Sequence, residues 1–235
     1  RTVYEVTLEP HRAMWLFALD SVDQSALPPQ SLVTVDGRLL AGKPVRERLL
    51  YHAASFLDYH AQPELPERYQ RMALRLPRGR NPRTAALAAQ WRGQGLDDEA
   101  IVNKALALYR SQEFFYTLQP PTLESRDPVD EFLFVTRRGF CEHYASSFTT
   151  LMRAAGIPAR VVTGYQGGSR NRIGEYYSVR QSDAHAWSEV WLAGQGWVRI
   201  DPTAAVAPNR IEQNLQSALG ANEALPFAFR RSSNQ

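Results

Sequence analysis

The sequence predicts an α+β protein: helices packed on an antiparallel sheet, preceded by a small β-rich unit. Three observations point there. Apolar residues alternate with polar ones near the start, recur at helical spacing over about 83–111 and again from Cys141, then return to period two after Pro158. Helices followed by strands, rather than alternating with them, is the α+β order. Pro63, Pro66, Pro77 and Pro82 crowd one stretch and mark a boundary, and 235 residues suffice for one sizeable core or two modest ones.

Taken in order, residues 2–9 alternate with β-branched enrichment and read as a strand. Residues 15–19 and 31–35 read as further strands, the second ending in a turn at Asp36-Gly37. Residues 48–59 fit a strand or a short helix equally. The β-rich unit is therefore expected over 1–65, with a linker at 66–81. Asn81 is placed to cap a helix beginning at Pro82, and Asp97 or Asp98 a helix running to Ser111 with Ile101, Ala105 and Leu108 on one face. Residues 129–135 form a short apolar segment. From Cys141 the apolar positions Tyr144, Ala145, Phe148, Leu151 and Met152 define a helix that Gly156 and Pro158 stop. Residues 160–165, 175–180, 186–192 and 197–200 read as an antiparallel sheet. This core is expected over 82–208, with a C-terminal helix and tail at 209–235.

Composition narrows the function. The chain is 44% hydrophobic and 22% charged, ordinary for a globular protein. The net charge is +3, carried almost wholly by arginine, since Lys43 and Lys104 are the lysines. The basic residues between Arg68 and Arg83 sit among prolines with Tyr69 as the single aromatic among them, so they read as a solvated linker and no nucleic-acid partner is expected. The apolar run at 13–19 is too short to span a bilayer. The start at Arg1 rather than Met suggests a piece of something longer. One cysteine cannot form an intramolecular disulfide.

That cysteine carries the chemical interest. A thiol attacks carbonyls as thiolate, and the first turn of a helix stabilises negative charge through its unpaired amides and dipole. A histidine within reach activates the thiol and later protonates the leaving group, and an acid fixes the imidazole tautomer. Cys141, His185 and Asp201 occur in that order, each at the start or end of an element. Taken singly each has a plainer reading: a small apolar residue on a helix, a half-buried strand residue, a turn former. His143 points to a different helix face from Cys141 and reads as local scaffold.

Geometry constrains the pair on the last two strands. His185 and Asp201 share a sheet face only if opposed residue numbers sum to an even value. A four-residue loop at 193–196 pairs Leu192 with Trp197 and separates them. A loop of three or five residues, or a bulge, brings them together, and Gly194 and Gly196 permit either. Otherwise Asp183 or Glu189 would have to substitute. A metal site built on Cys141, His143, His185 and Asp201 is disfavoured because no short-spaced ligand pair is present. No phosphate-binding or dinucleotide motif appears, so no cofactor and no metal are expected.

The runs Gly139-Phe140-Cys141-Glu142-His143-Tyr144-Ala145, Gly156-Ile157-Pro158-Ala159-Arg160-Val161-Val162-Thr163-Gly164-Tyr165, Asp183-Ala184-His185-Ala186-Trp187 and Gly196-Trp197-Val198-Arg199-Ile200-Asp201-Pro202-Thr203 resemble the signature of the transglutaminase-like superfamily. The amino-terminal strands, including Trp15-Leu16-Phe17-Ala18-Leu19-Asp20, resemble bacterial membrane-anchored transglutaminases of the TgpA type. The resemblance implies a papain-like α+β core and a triad of Cys141, His185 and Asp201. It also implies acyl transfer from a glutamine carboxamide through a thioester to an amine, with a protein or peptide substrate. It further implies a periplasmic domain of an inner-membrane protein. A peptidase or cell-wall amide hydrolase using the same triad, or a binding module on the same fold, are the alternatives. The Cys141 amide is expected to donate to the oxyanion, and Trp187, Trp191, Tyr144 and Tyr165 to border the substrate cleft or fill the core.

Overall fold

The computed structural model describes residues 1–207; the helix and tail expected at 209–235 lie outside them. The chain divides into two compact units, Arg1–Ala61 and the chain from Gln62 onward. In the first, β1 (Thr2–Leu8), β2 (Ser31–Val33), β3 (Leu39–Ala41) and β4 (Leu49–Ser55) pair antiparallel as β1 with β4 and β2 with β3. The strand alternative at 48–59 is the one adopted. Leu16, Leu39, Val45, Tyr51 and Ala53 form a small core, flanked by Tyr4, Val6 and Leu8 from the inward positions of β1. Gly37 takes φ +87° in the turn between β2 and β3.

No strand forms at 15–19. Trp15 makes an isolated bridge to Leu40. Beyond it the backbone is satisfied by side chains: Phe17 N–H donates to the Tyr51 hydroxyl (2.8 Å), which donates to Phe17 C=O (2.6 Å), and Leu19 N–H donates to the Tyr4 hydroxyl (2.9 Å). The phenols of the buried Tyr51 and the half-buried Tyr4 take the place of a neighbouring strand.

The second unit opens with a helix inside the expected linker, α1 (Glu67–Ala73), whose end at Ala73 is buried. Next come α2 (Pro82–Gly93) and α3 (Asp98–Ser111), which Asp97 caps through Ala100 N–H at 2.8 Å. Asn81 does not cap α2. It lies in the left-handed region, φ 53°, and its Oδ1 accepts from Val129 and Asp130 N–H on α4 (Pro128–Glu131). Asp130 returns the favour, accepting from Arg83 N–H, Thr84 N–H and Thr84 Oγ1 at 2.6–2.8 Å. The two helices thus cap each other.

The short apolar segment after α4 is a π turn, Phe132–Thr136, with Arg137 N–H bonded to Phe132 C=O. It aligns β6 (Arg138–Gly139) in parallel with β5 (Phe115–Tyr116). There follows α5 (Cys141–Ala154), with Tyr144, Ala145, Phe148, Leu151 and Met152 fully buried. Burying each of the larger ones contributes roughly 1.5–3 kcal/mol. Gly156, φ +78°, ends α5 in a Schellman motif: Ile157 N–H to Met152 C=O and Gly156 N–H to Arg153 C=O.

β7 (Ala159–Tyr165), β10 (Ala184–Leu192) and β11 (Gly196–Ile200) form a three-stranded antiparallel sheet in the order β11-β10-β7, numbered around the intervening β8 (Ser169–Asn171) and β9 (Tyr176–Ser178). The strand expected at 175–180 is therefore not part of the main sheet; β8 and β9 make a separate hairpin. Residues 166–183 begin and end at a paired position, so the excursion needs no sheet neighbour of its own. The unit's core joins α2, α3 and α5 with β10 through Trp91, Ile101, Phe148, Leu151 and Val190.

Candidate active site

Cys141 is the first residue of α5 and is half-buried. Its position depends on Gly139. A Cβ there would lie 2.6 Å from His143 Cβ and 2.9 Å from Phe132 Cε2, so only glycine lets the chain enter α5 this close to both. His143 accepts from Phe140 N–H through Nδ1 (3.4 Å), holding the turn. Burial pushes its basicity down, against an opposing pull from Glu142, which fits a neutral, structural imidazole.

His185 stands near the start of β10 with its side chain wholly buried. The loop joining β10 to β11 is three residues long, because Leu192 opposes Gly196 and Ser188 opposes Ile200. Opposed numbers therefore sum to an even value, as a shared face for positions 185 and 201 requires. Gly194 and Gly196 make the loop possible at φ +80° and +78°. His185 Nε2 and Asp201 Oδ2 are 2.6 Å apart, and Asp201 Oδ1 accepts from Thr203 N–H at 3.0 Å. Both carboxylate oxygens are thus held, one by the imidazole and one as the cap of the short helix Pro202–Ala205. The other acids are engaged elsewhere: Asp183 accepts from Arg180 N–H (2.8 Å) and Glu189 pairs with Arg160 (2.6 Å).

Helix and sheet are stitched together beside these residues. The Ser188 hydroxyl donates to Ala145 C=O (3.0 Å) and meets Thr149 Oγ1 (3.0 Å), fixing β10 against the first turns of α5. A cleft of about 610 Å³ opens at that end of the sheet, lined among others by Cys141, Glu142, Gly164, Ala184 and His185. Consecutive strand residues face opposite sides. Thr163-Gly164 and Ala184-His185-Ala186 all line the cleft, so it reaches the sheet across its end and its β7 edge. His185 Nδ1 is buried and has no hydrogen-bond partner among the described residues.

The four aromatics considered for the cleft are not among the side chains lining it. Tyr144 is fully buried against Tyr109, Phe114 and Phe132. Trp187 stacks on the His185 ring (6.2 Å between centroids, 24° interplanar), with the Arg199 guanidinium on the indole at 4.1 Å. Gly164 accommodates that indole, since a Cβ there would approach it to 2.9 Å. Trp191 Nε1 and Trp197 Nε1 donate to the carbonyl and side-chain oxygens of Gln62, each at 2.9 Å. Among the described residues no group of three or more His, Cys, Asp or Glu is arranged to hold a metal ion. A thiol at a helix start and an imidazole held by a carboxylate, opening on one cleft, are the parts needed for thiol-based acyl transfer.

Comparison with known proteins follows the same line. The family model of the transglutaminase-like superfamily matches residues 85–202. The protein-glutamine gamma-glutamyltransferase of Pseudomonas aeruginosa is 44% identical over 219 residues, covering 93% of this chain and 32% of that protein. The chain thus spans about a third of that relative's length. The crystal structure of the periplasmic domain of TgpA from Pseudomonas aeruginosa superposes with a TM-score of 0.87 at 44% identity, over 92% of this chain and 74% of that one. Its ethylmercury-bound form gives 0.84, over 90% and 75%. The uncharacterized protein YebA of Bacillus subtilis is 41% identical over 99 residues, 40% of this chain and 13% of that protein.

Proposed function

The chain belongs to the transglutaminase-like superfamily, and from that premise we propose that it is the catalytic domain of a protein-glutamine gamma-glutamyltransferase. Cys141 is the nucleophile, His185 the base and then the acid, and Asp201 the residue that holds the imidazole. The observation carrying this reading is the 2.6 Å contact of His185 Nε2 with Asp201, which leaves Nδ1 of the same ring for the thiol. The tautomer with its proton on Nε2 donates to the carboxylate and presents a lone pair at Nδ1.

In this reading the Cys141 thiol gives its proton to His185 Nδ1, and the thiolate attacks the carboxamide carbon of a substrate glutamine. The oxyanion develops beside the N–H groups of the first turn of α5, that of Cys141 first. Collapse expels ammonia, which leaves with the proton held by His185, and a thioester remains. A primary amine then attacks the thioester carbonyl, giving a proton to His185 and expelling the thiolate. The product is a substituted amide. The substrates are a glutamine-bearing protein or peptide and an amine.

Kinship with a periplasmic domain supports a periplasmic location; a membrane anchor elsewhere in a longer protein belongs to the same proposal. Among the described residues no helix is long and apolar enough to cross a membrane. The deciding experiment incubates the protein with a glutamine peptide and a labelled primary amine, with Cys141→Ala as control. Cysteine-dependent incorporation of label is expected. Release of ammonia or peptide cleavage without label would replace transfer by hydrolysis, and absence of all three would leave a binding module.

A further inference from the structure

We infer that the acyl donor binds as an extended strand added to the free edge of β7, so the substrate class is an unfolded or strand-forming segment bearing glutamine. This inference rests on the reading above and deepens it. In an antiparallel pair, opposed residues alternate between those that exchange backbone hydrogen bonds and those that do not. Gln166 N–H donates to Asp183 C=O and Trp191 N–H to Pro158 C=O, both at 2.9 Å. The β7–β10 register opposes Tyr165 to Ala184 and Ala159 to Val190. Gln166 and Asp183 are therefore opposed, as are Pro158 and Trp191, and both are bonded pairs. Counting inward by twos, Arg160, Val162 and Gly164 turn their backbone groups to β10. Ala159, Val161, Thr163 and Tyr165 turn theirs the other way, and Arg153 Nε donates to Ala159 C=O at 2.8 Å, so the stretch offered to a peptide centres on Val161 and Thr163.

Among the described residues β7 is an edge strand of its sheet. Val161 is 41% exposed, Thr163 is exposed, and both line the cleft that Cys141 and His185 border. Open edges are ordinarily blunted by charge, proline or a bulge. Here the two outward positions that line the cleft, Val161 and Thr163, are uncharged β-branched residues, no proline interrupts residues 159–165, and the register runs without a break. An extended peptide laid there gains main-chain hydrogen bonds irrespective of its sequence. Its side chains alternate, so those on one side point to the start of α5, where a glutamine meets the thiol. A folded surface that cannot offer a free strand fits this edge poorly.

The test uses the protein with a peptide in which glutamine is replaced by the isosteric diazoketone 6-diazo-5-oxo-norleucine, which traps a nucleophilic thiol whether water or an amine is the usual acceptor. A series of such peptides carries one backbone N-methyl group each, at successive positions flanking the warhead. The second-order rate of Cys141 modification is measured by mass spectrometry, alongside that of iodoacetamide. Expected is a period-two pattern: a loss of about 10-fold where the methyl removes an edge hydrogen bond, and about 2-fold or less at the positions between. A flat profile, or no advantage of the peptide over the free diazoketone amino acid, overturns strand addition while leaving the thiol chemistry standing. Slow reaction with iodoacetamide as well would sink the nucleophile reading and this inference with it.

Discussion

Replacing Asp201 by Asn tests the core of the proposed chemistry, because the geometry makes its effect specific. Asp201 Oδ1 accepts from Thr203 N–H and Oδ2 faces His185 Nε2. Asparagine keeps an acceptor for Thr203 and turns an NH₂ toward the imidazole. An amide NH₂ only donates, so Nε2 must accept and the ring proton moves to Nδ1. The side chain of His185 is wholly buried and that of Asp201 only 12% exposed, so water offers little rescue. An imidazole protonated at Nδ1 cannot take the thiol proton. An unassisted thiol ionising near 8.5 is about 1% thiolate at pH 6.5, so alkylation of Cys141 by iodoacetamide should fall by up to about 100-fold there. Turnover also needs that proton returned to ammonia, and should fall by about 10²–10⁴. The N-cap survives, so the variant should unfold within about 2 kcal/mol of the parent. Alkylation at pH 6.5 within about twofold of the parent would refute the assignment, since one imidazole assists both reactions.

Three further outcomes are expected. Burial lowers the basicity of His143 below its unfolded value, so the unfolded chain binds more protons and stability falls as pH drops through about 6.5. His143→Gln keeps an acceptor for Phe140 N–H without titrating, and should flatten that part of the denaturation-midpoint profile between about pH 7 and 5; an unchanged slope would clear His143. Gly139→Ala drives a Cβ into His143 and Phe132, and chemical denaturation should show a loss of about 1–3 kcal/mol together with reduced alkylation of Cys141. Asp130→Ala strands the donors of Arg83 and Thr84 at the start of α2, a cost of about 2–4 kcal/mol by the same measurement, whereas a loss below about 0.5 kcal/mol would mean water replaces the carboxylate.

Residue spacing encodes the local elements. The helix from Cys141 to a stop at Gly156 follows from apolar periodicity and one left-handed glycine. The parity rule for residues 185 and 201 follows from the alternation of strands; it leaves a three- or five-residue loop or a bulge open, and the loop of Ala193, Gly194 and Gln195 meets it. These features are local, repeating every 3.6 or two residues, so a neighbour distant in the chain is not needed to see them.

Tertiary structure alone decided the features that depend on a remote partner. Asn81 looks like the cap of α2, yet the cap is Asp130, 46 residues beyond Thr84. Residues 15–19 have a strand's composition, but Tyr4 and Tyr51 occupy the backbone groups a strand would pair. Tyr144 and Trp191 have the surface chemistry of a substrate cleft, and packing sends one into the core and the other to Gln62. The free edge of β7 was likewise invisible, because a strand's sequence records its own alternation and not which of its two sides a neighbour covers.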